Sequence, residues 1–423
     1  MTKDINKNLF IFFFSIIPFS IILGPAISLI NTVLICLTYC IYNFEKYDLK
    51  IFKSEVILGL LFFYIYLIFN SLISVDFNSG MFRNFGFIRF IIFFLAFNYF
   101  LYYFNNSKKI FKFWFLILII FVIDVYIERF TGSNILGFGK IEINGVQQPD
   151  GKRVVSFFKD EAIAGAYISG FIFLISGYIL MLFKKKNLSK IYAFLIITLL
   201  IVGVVLTGER SNSIKVFLGF FIFIFLIDYV NLKVKLLILT AFIFIFLVSI
   251  ISSDYLKVRY YGQVIKPLVN KEKRASLFNH FYFKLYKSGY NVFENHPIFG
   301  VGNKNYRVET CNSENNEKYP KYDCNTHPHQ IYFELLAEHG IVGMIIILSI
   351  IFYLTFRLLK LISLSKNYIQ CGAFVYVIIN FMPLLPSGAF FNDFNITLFM
   401  VNFSLMYAIN NESNIFSKKK LLN

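Results

Sequence analysis

Twelve apolar runs, most near the roughly 20 residues that carry an α-helix across a bilayer, limit what this chain can fold into. They lie near residues 9–23, 25–44, 56–74, 85–104, 111–129, 162–183, 191–206, 213–230, 234–252, 330–356, 368–385 and 390–410. A spanning segment must satisfy its own backbone, and runs this long and apolar predict helices rather than barrel strands. Composition agrees: of 423 residues, 57% are apolar and only 15% are charged, against roughly 25% charged in a soluble domain. The expected fold is an all-α polytopic membrane protein of about 12 transmembrane helices, one membrane domain over residues 1–423. The first run shows no small-residue cleavage site, so it is expected to stay as an uncleaved anchor.

A net charge of +17 would point a soluble protein toward nucleic acid. Here the lysines are sorted by loop. Lys46, Lys50 and Lys53 share one loop, Lys108, Lys109 and Lys112 another, and Lys184, Lys185, Lys186 and Lys190 a third. Lys233 and Lys235, then Arg357, Lys360 and Lys366, and finally Lys418, Lys419 and Lys420 continue the series. With twelve spans all of these fall on the side of Lys3 and Lys7. Positive-inside bias then predicts cytoplasmic termini, with membrane lipids and no nucleic acid as surroundings. Two polar segments are expected on the other, periplasmic face. One is 130–161. The larger is 253–329, between spans nine and ten, with an amphipathic stretch at 276–293 and a Pro/Gly turn at 296–302.

Arginine is used differently from lysine. Of the nine arginines, at 83, 89, 129, 153, 210, 259, 274, 307 and 357, only Arg357 falls on the expected cytoplasmic side. A guanidinium offers a planar fork of donors suited to bidentate phosphate binding. Arg210, in Thr207-Gly208-Glu209-Arg210 between two apolar runs, is the strongest candidate, because a charge near hydrocarbon is costly unless it has a role. His329, where the larger outer segment meets span ten, supplies a side chain suited to proton transfer near neutral pH.

Several elements in order resemble the O-antigen ligase and O-antigen polymerase superfamily. His329-Gln330, nine residues, Gly340, two residues and Gly343 fit the ligase signature. Thr207-Gly208-Glu209-Arg210 resembles the family arginine after span seven, and Arg274 with Phe278 its loop arginine and aromatic. His296-Pro297-Ile298-Phe299-Gly300-Val301-Gly302 resembles its His-Pro-Leu-Phe-Gly-Val-Gly turn. Phe278 stands where Trp is common, and Ile214 where Leu is expected. The resemblance implies a GT-C-like, ligase-like enzyme of the bacterial inner membrane, working in lipopolysaccharide biosynthesis from its periplasmic side. It implies metal-independent, inverting transfer of a glycan from undecaprenyl pyrophosphate to a lipid A–core sugar hydroxyl, with no cofactor. His329 would be the catalytic base, while Arg210 and Arg274 would bind the pyrophosphate. The sequence itself has no Asp-x-Asp motif and no cluster with metal-ligand spacing.

The alternative is an O-antigen polymerase joining lipid-linked repeat units. A protein O-oligosaccharyltransferase is related, and a flippase or transporter is disfavoured because ionisable groups cluster at helix ends rather than at mid-bilayer. Further candidates are His327, beside His329, and Asp160 and Glu161, which either meet sugar or cap the helix that follows. His296 reads as a turn residue. Asp124 and Glu128 are expected to pair with Arg83, Arg89 or Arg129, and Asp393 to act similarly. Cys311 and Cys324 flank a polar stretch of the outer segment and form a disulfide candidate in an oxidising periplasm.

Overall fold

The computed structural model describes residues 2–43, 49–104, 107–139, 142–143, 146–147, 153–183, 187–251, 253–269 and 281–417. Arg274 and Phe278 lie outside these described residues. All twelve apolar runs are helical over most of their length: α1 (Thr2–Ser15), α2 (Ile17–Ile22), α3 (Pro25–Asn43), α4 (Glu55–Leu72), α5 (Phe77–Gly86), α6 (Ile88–Phe104), α7 (Ser107–Thr131), α8 (Ala164–Leu182), α9 (Asn187–Leu206), α10 (Arg210–Leu226) and α11 (Leu232–Ile251), followed by Ile331–Phe356, Tyr368–Asn380 and Asp393–Ala408. The only pairing of strands among the described residues joins Glu142–Ile143 to Val146–Gln147.

Eight helical stretches are long and apolar enough to cross a membrane. The expected count of twelve is therefore supported for eight. The other four runs are broken or short. The first divides at Ile16 into α1 and α2, with Pro18 in the new first turn. The run expected at 368–385 stops as a helix at Asn380, because Pro383 disfavours helical backbone just before it.

Contacts sort the connections to two ends of the bundle. At one end Arg357 pairs with Glu55, and Lys366 with Asp228 at 2.9 Å. Asn414 also donates to Asn98 O there (2.9 Å), and Tyr229 to Phe183 O (2.7 Å). These contacts join connections that carry the lysine series. At the other end Asp393 bridges Arg83 (2.5 Å) and Arg89 (2.8 Å), and Ser387 N donates to His329 O (2.8 Å). α8 runs through the middle, buried along nearly its whole length, and its Gly and Ser residues let neighbours approach closely. α11 is peripheral, with only 11% of its apolar window buried.

The helix expected at 330–356 is not continuous. Gly340 adopts φ 63°, ψ −171° and breaks its axis. Across the break lies the 296–302 turn, and the two exchange main-chain hydrogen bonds. Val301 N donates to Ala337 O and Gly302 N to Glu338 O, while Ile341 N donates back to Pro297 O, each at 2.9 Å. A Cβ on Gly340 would stand 2.3 Å from Ile298 O, and one on Gly300 2.4 Å from the Glu338 carbonyl carbon. Only glycine meets both the backbone angle and this approach. The glycines of the signature therefore build a joint that holds the short 331–339 helix, and His329 before it, against the bundle.

Candidate active site

Two acids on α7 place one wall of the site. Asp124 accepts from Ser156 Oγ (2.6 Å) and Ile135 N (2.9 Å). Glu128 accepts from Val155 N (3.0 Å) and Ser156 N (2.6 Å). The expected pairing of these acids with Arg83, Arg89 or Arg129 is thus corrected. Arg83 and Arg89 go to Asp393, and Arg129 donates to Leu206 O (2.8 Å) and covers the Tyr255 ring at 4.2 Å. The first N–H groups of the short 3-10 helix Ser156–Phe158 have no acceptor within it, and the Glu128 carboxylate on α7 supplies one. The fastened segment holds Arg153 and Lys159 at its ends.

Asp160 and Glu161 do not cap α8. The carboxylate at its N-terminus comes from Glu209, whose Oε1 accepts from Gly165 N (2.6 Å) and whose Oε2 accepts from Asn212 (2.7 Å). Burial pushes the Glu209 carboxyl up to about 7, opposed by those hydrogen bonds and by Arg153. Glu161 stands at the cavity rim, whereas Asp160 does not line the cavity.

The cavity has a volume of about 1180 Å³. Its cationic side chains are Arg153, Lys159, Arg210, Lys215 and Arg259, and both His327 and His329 face it. Arg259 arrives on a π-helical turn, Lys257–Ile265, a rare element frequent at functional sites. Arg210 and Arg259 brace each other through the main chain. Arg210 Nη1 donates to Arg259 O (3.2 Å), Arg259 Nη2 to Gly208 O (3.3 Å), and Arg259 Nη1 to Gln263 (3.2 Å). Among the described residues no carboxylate lies within ion-pair distance of either guanidinium. Two cations held close without an acid form a ready anion site.

His327 and His329 are adjacent, ring centroids 3.9 Å apart, but differ in their bonds. Thr326 Oγ1 lies 2.9 Å from His327 Nδ1, and His327 Nε2 lies 3.3 Å from Ser387 O. A carbonyl only accepts, so Nε2 carries the proton and Nδ1 accepts from the hydroxyl. Burial, then His329 and Lys304, hold the His327 pKa down to about 3, so it stays a neutral, fully engaged ring. His329 sits at φ 57°, with Phe281 and Tyr282 against its ring. Gln330 caps the next helix by accepting from Tyr332 N (2.8 Å) and Phe333 N (3.0 Å). Burial, and then Arg153, lower the His329 pKa from its ordinary value, keeping the ring neutral and able to accept a proton.

Sequence reasoning named His329, His327, Arg210 and Glu161, and all four line this cavity. It did not single out Arg153, Lys159, Lys215 or Arg259. Arg259 could have been found by the logic used for Arg210, since it closely follows the end of an apolar run. Cys311 and Cys324 are joined by a disulfide, and His296 Nε2 lies 3.3 Å from Glu309 in its turn. Among the described residues no three His, Cys, Asp or Glu side chains gather as a metal site.

A family model described as O-antigen ligase matches residues 195–348. That segment belongs with the O-antigen ligase superfamily. It covers less than half of the chain, running from α9 past the Gly340 break, and it contains Arg210, Arg259, His327 and His329. A search of curated proteins finds no match. The family supports a membrane enzyme of O-antigen ligase or polymerase type, a glycosyltransferase with lipid-linked glycan substrates.

Proposed function

We propose that this chain is an O-antigen ligase-like glycosyltransferase of the bacterial inner membrane. It moves a glycan from undecaprenyl pyrophosphate to a lipid A–core sugar hydroxyl on the periplasmic side, with both termini cytoplasmic. The observation that carries the reading is the meeting, in one cavity, of a neutral His329 with Arg210 and Arg259, neither of which has an acid partner. The acceptor oxygen attacks the anomeric carbon from the face opposite the leaving group, and the C1–O bond to the diphosphate breaks. The hydroxyl proton passes to a ring nitrogen of His329, and the anomeric configuration inverts. Arg210 and Arg259 take up the charge that builds on the departing diphosphate. Arg153 and Lys159 add positive potential at the rim, and Arg274 is proposed as a further pyrophosphate ligand. In this reading the transfer proceeds without a metal, the guanidinium groups taking up the charge.

The spacing of His329-Gln330, Gly340 and Gly343 favours ligase over polymerase. Deletion in the native host separates them: the ligase reading expects full-length polymer stranded on its carrier. Lipid A–core bearing a single repeat would mean polymerase, and unchanged surface glycan would contradict both.

A further inference from the structure

One cation of the cavity has no part in that scheme. Lys215 lies on α10, five residues beyond Arg210, and is therefore ~7.5 Å farther along the helix axis at 1.5 Å rise per residue. It lines the cavity, yet only 6% of its surface is exposed. Among the described residues it has neither a hydrogen-bond acceptor nor a carboxylate. A lysine serving only for solubility extends its ammonium to water. This one is instead enclosed by α8 and the Tyr368–Asn380 helix, which pack against α10 and contribute Ser169 and Asn380 to the same wall. Lys215 shares a helical face with Ser211 and Asn212, its neighbours four and three residues back. Side chains on a helix lean toward its N-terminus, so the ammonium is directed from the hydrocarbon side toward the Arg210 end. Burying an ammonium without a partner is costly, and an anion brought from outside the chain into the cavity would offset that cost.

We propose that Lys215 forms a deep phosphate subsite, which binds the phosphate of a lipid substrate nearest its apolar tail while Arg210 and Arg259 hold the charge nearer the sugar. The inference rests on the proposed function for the identity of the lipid. Apolar wall residues beside Lys215, including Ile214, Ile379 and Leu385, suit the start of the tail. A single long cation gives one strong charge-assisted contact, so its loss weakens binding about tenfold or more.

The test uses the full-length protein in nanodiscs. Binding of farnesyl diphosphate, farnesyl monophosphate and monophosphoryl lipid A is measured for the wild type, Lys215→Met, Lys215→Arg and Arg210→Ala. Lys215→Met is expected to lose about tenfold or more for the lipid phosphate, with Lys215→Arg restoring most of it. Loss confined to the farnesyl compounds assigns the subsite to the donor, and loss confined to monophosphoryl lipid A to the acceptor; either supports the subsite. Unchanged affinity in Lys215→Met, with a large loss in Arg210→Ala, overturns the Lys215 subsite and leaves the proposed function standing. Wild-type protein that binds none of the three compounds overturns both. A fluorescence-detected melting profile shows whether Lys215→Met is folded. If it is not, Lys215→Arg decides: affinity within a few-fold of the wild type supports a cation subsite, and collapse to the Arg210→Ala level overturns it.

Discussion

At the scale of residues, His329 and Arg153 make a testable pair. Removing a general base costs about 10²- to 10⁴-fold in rate, so His329→Ala is expected to lose that much turnover while keeping its donor KM. Because burial and Arg153 hold the His329 pKa below its ordinary value, the ring stays neutral to lower pH than a free imidazole. Activity is therefore expected to hold below pH ~6.5 and to fall only as pH drops through that lowered pKa. Arg153→Met removes a positive charge that opposes protonation, so the acidic limb should move to higher pH. Glu209, which titrates near 7, faces the same cavity. A Glu209→Gln variant that keeps the limb assigns it to His329; a limb that vanishes assigns it to Glu209. His329 and Arg210 were legible in the sequence because each sits in a short motif whose chemistry has few uses at a membrane edge. Arg153, Lys159 and Lys215 were not. Their roles depend on which way a loop or a helix face turns, and no local spacing encodes that.

At the scale of elements, the α7 acids and the Gly340 joint do the positioning. Glu128→Gln leaves one of two buried N–H groups facing an amide N–H₂, a cost of about 1–3 kcal/mol. A lower melting temperature and a raised donor KM, with kcat changed much less, are expected as Arg153 and Lys159 lose their place. An unchanged KM would show that this segment does not serve the donor. Gly340→Ala asks a residue with a Cβ to hold φ 63°, ψ −171°, which alone costs about 1–3 kcal/mol, and to stand 2.3 Å from Ile298 O. Loss of folded protein in detergent is expected; a variant of wild-type melting temperature would contradict the joint. Gly340 and Gly343 were visible in the sequence as part of a signature, but the broken helix was not. Nothing within 331–356 reveals that a turn forty residues upstream supplies the opposing hydrogen bonds. The cysteines were easier, since two thiols flanking a polar stretch of a segment expected on the oxidising side have few other uses. Replacing both with serine opens a link between residues 13 apart and is expected to lower stability by about 3 kcal/mol, read by thermal unfolding without reductant.

At the scale of the whole molecule, hydrophobicity made the helical class legible, and lysine made the two ends legible. The Arg357–Glu55 and Lys366–Asp228 pairs join connections that the lysine pattern had already grouped. The number of spans was less legible, because a helix broken at Ile16, and one halted before Pro383, keep the apolarity of a full span without its length. The proposed sidedness is testable: a reporter fused after residue 417 is expected to read as cytoplasmic, and a cysteine at Asn315 to react with an impermeant reagent from the periplasm. The cavity belongs to this scale too, since α8, α10, the Lys257–Ile265 turn and the residues before Ile331 contribute to it together. The most direct measurement is transfer by the purified protein in nanodiscs, given undecaprenyl-diphosphate glycan and lipid A–core. The account predicts an acceptor heavier by the glycan, joined with inverted anomeric configuration, at a rate that His329→Ala and Arg259→Ala each reduce at least a hundredfold. Transfer that proceeds at the wild-type rate in both variants, or with retained configuration, would contradict it.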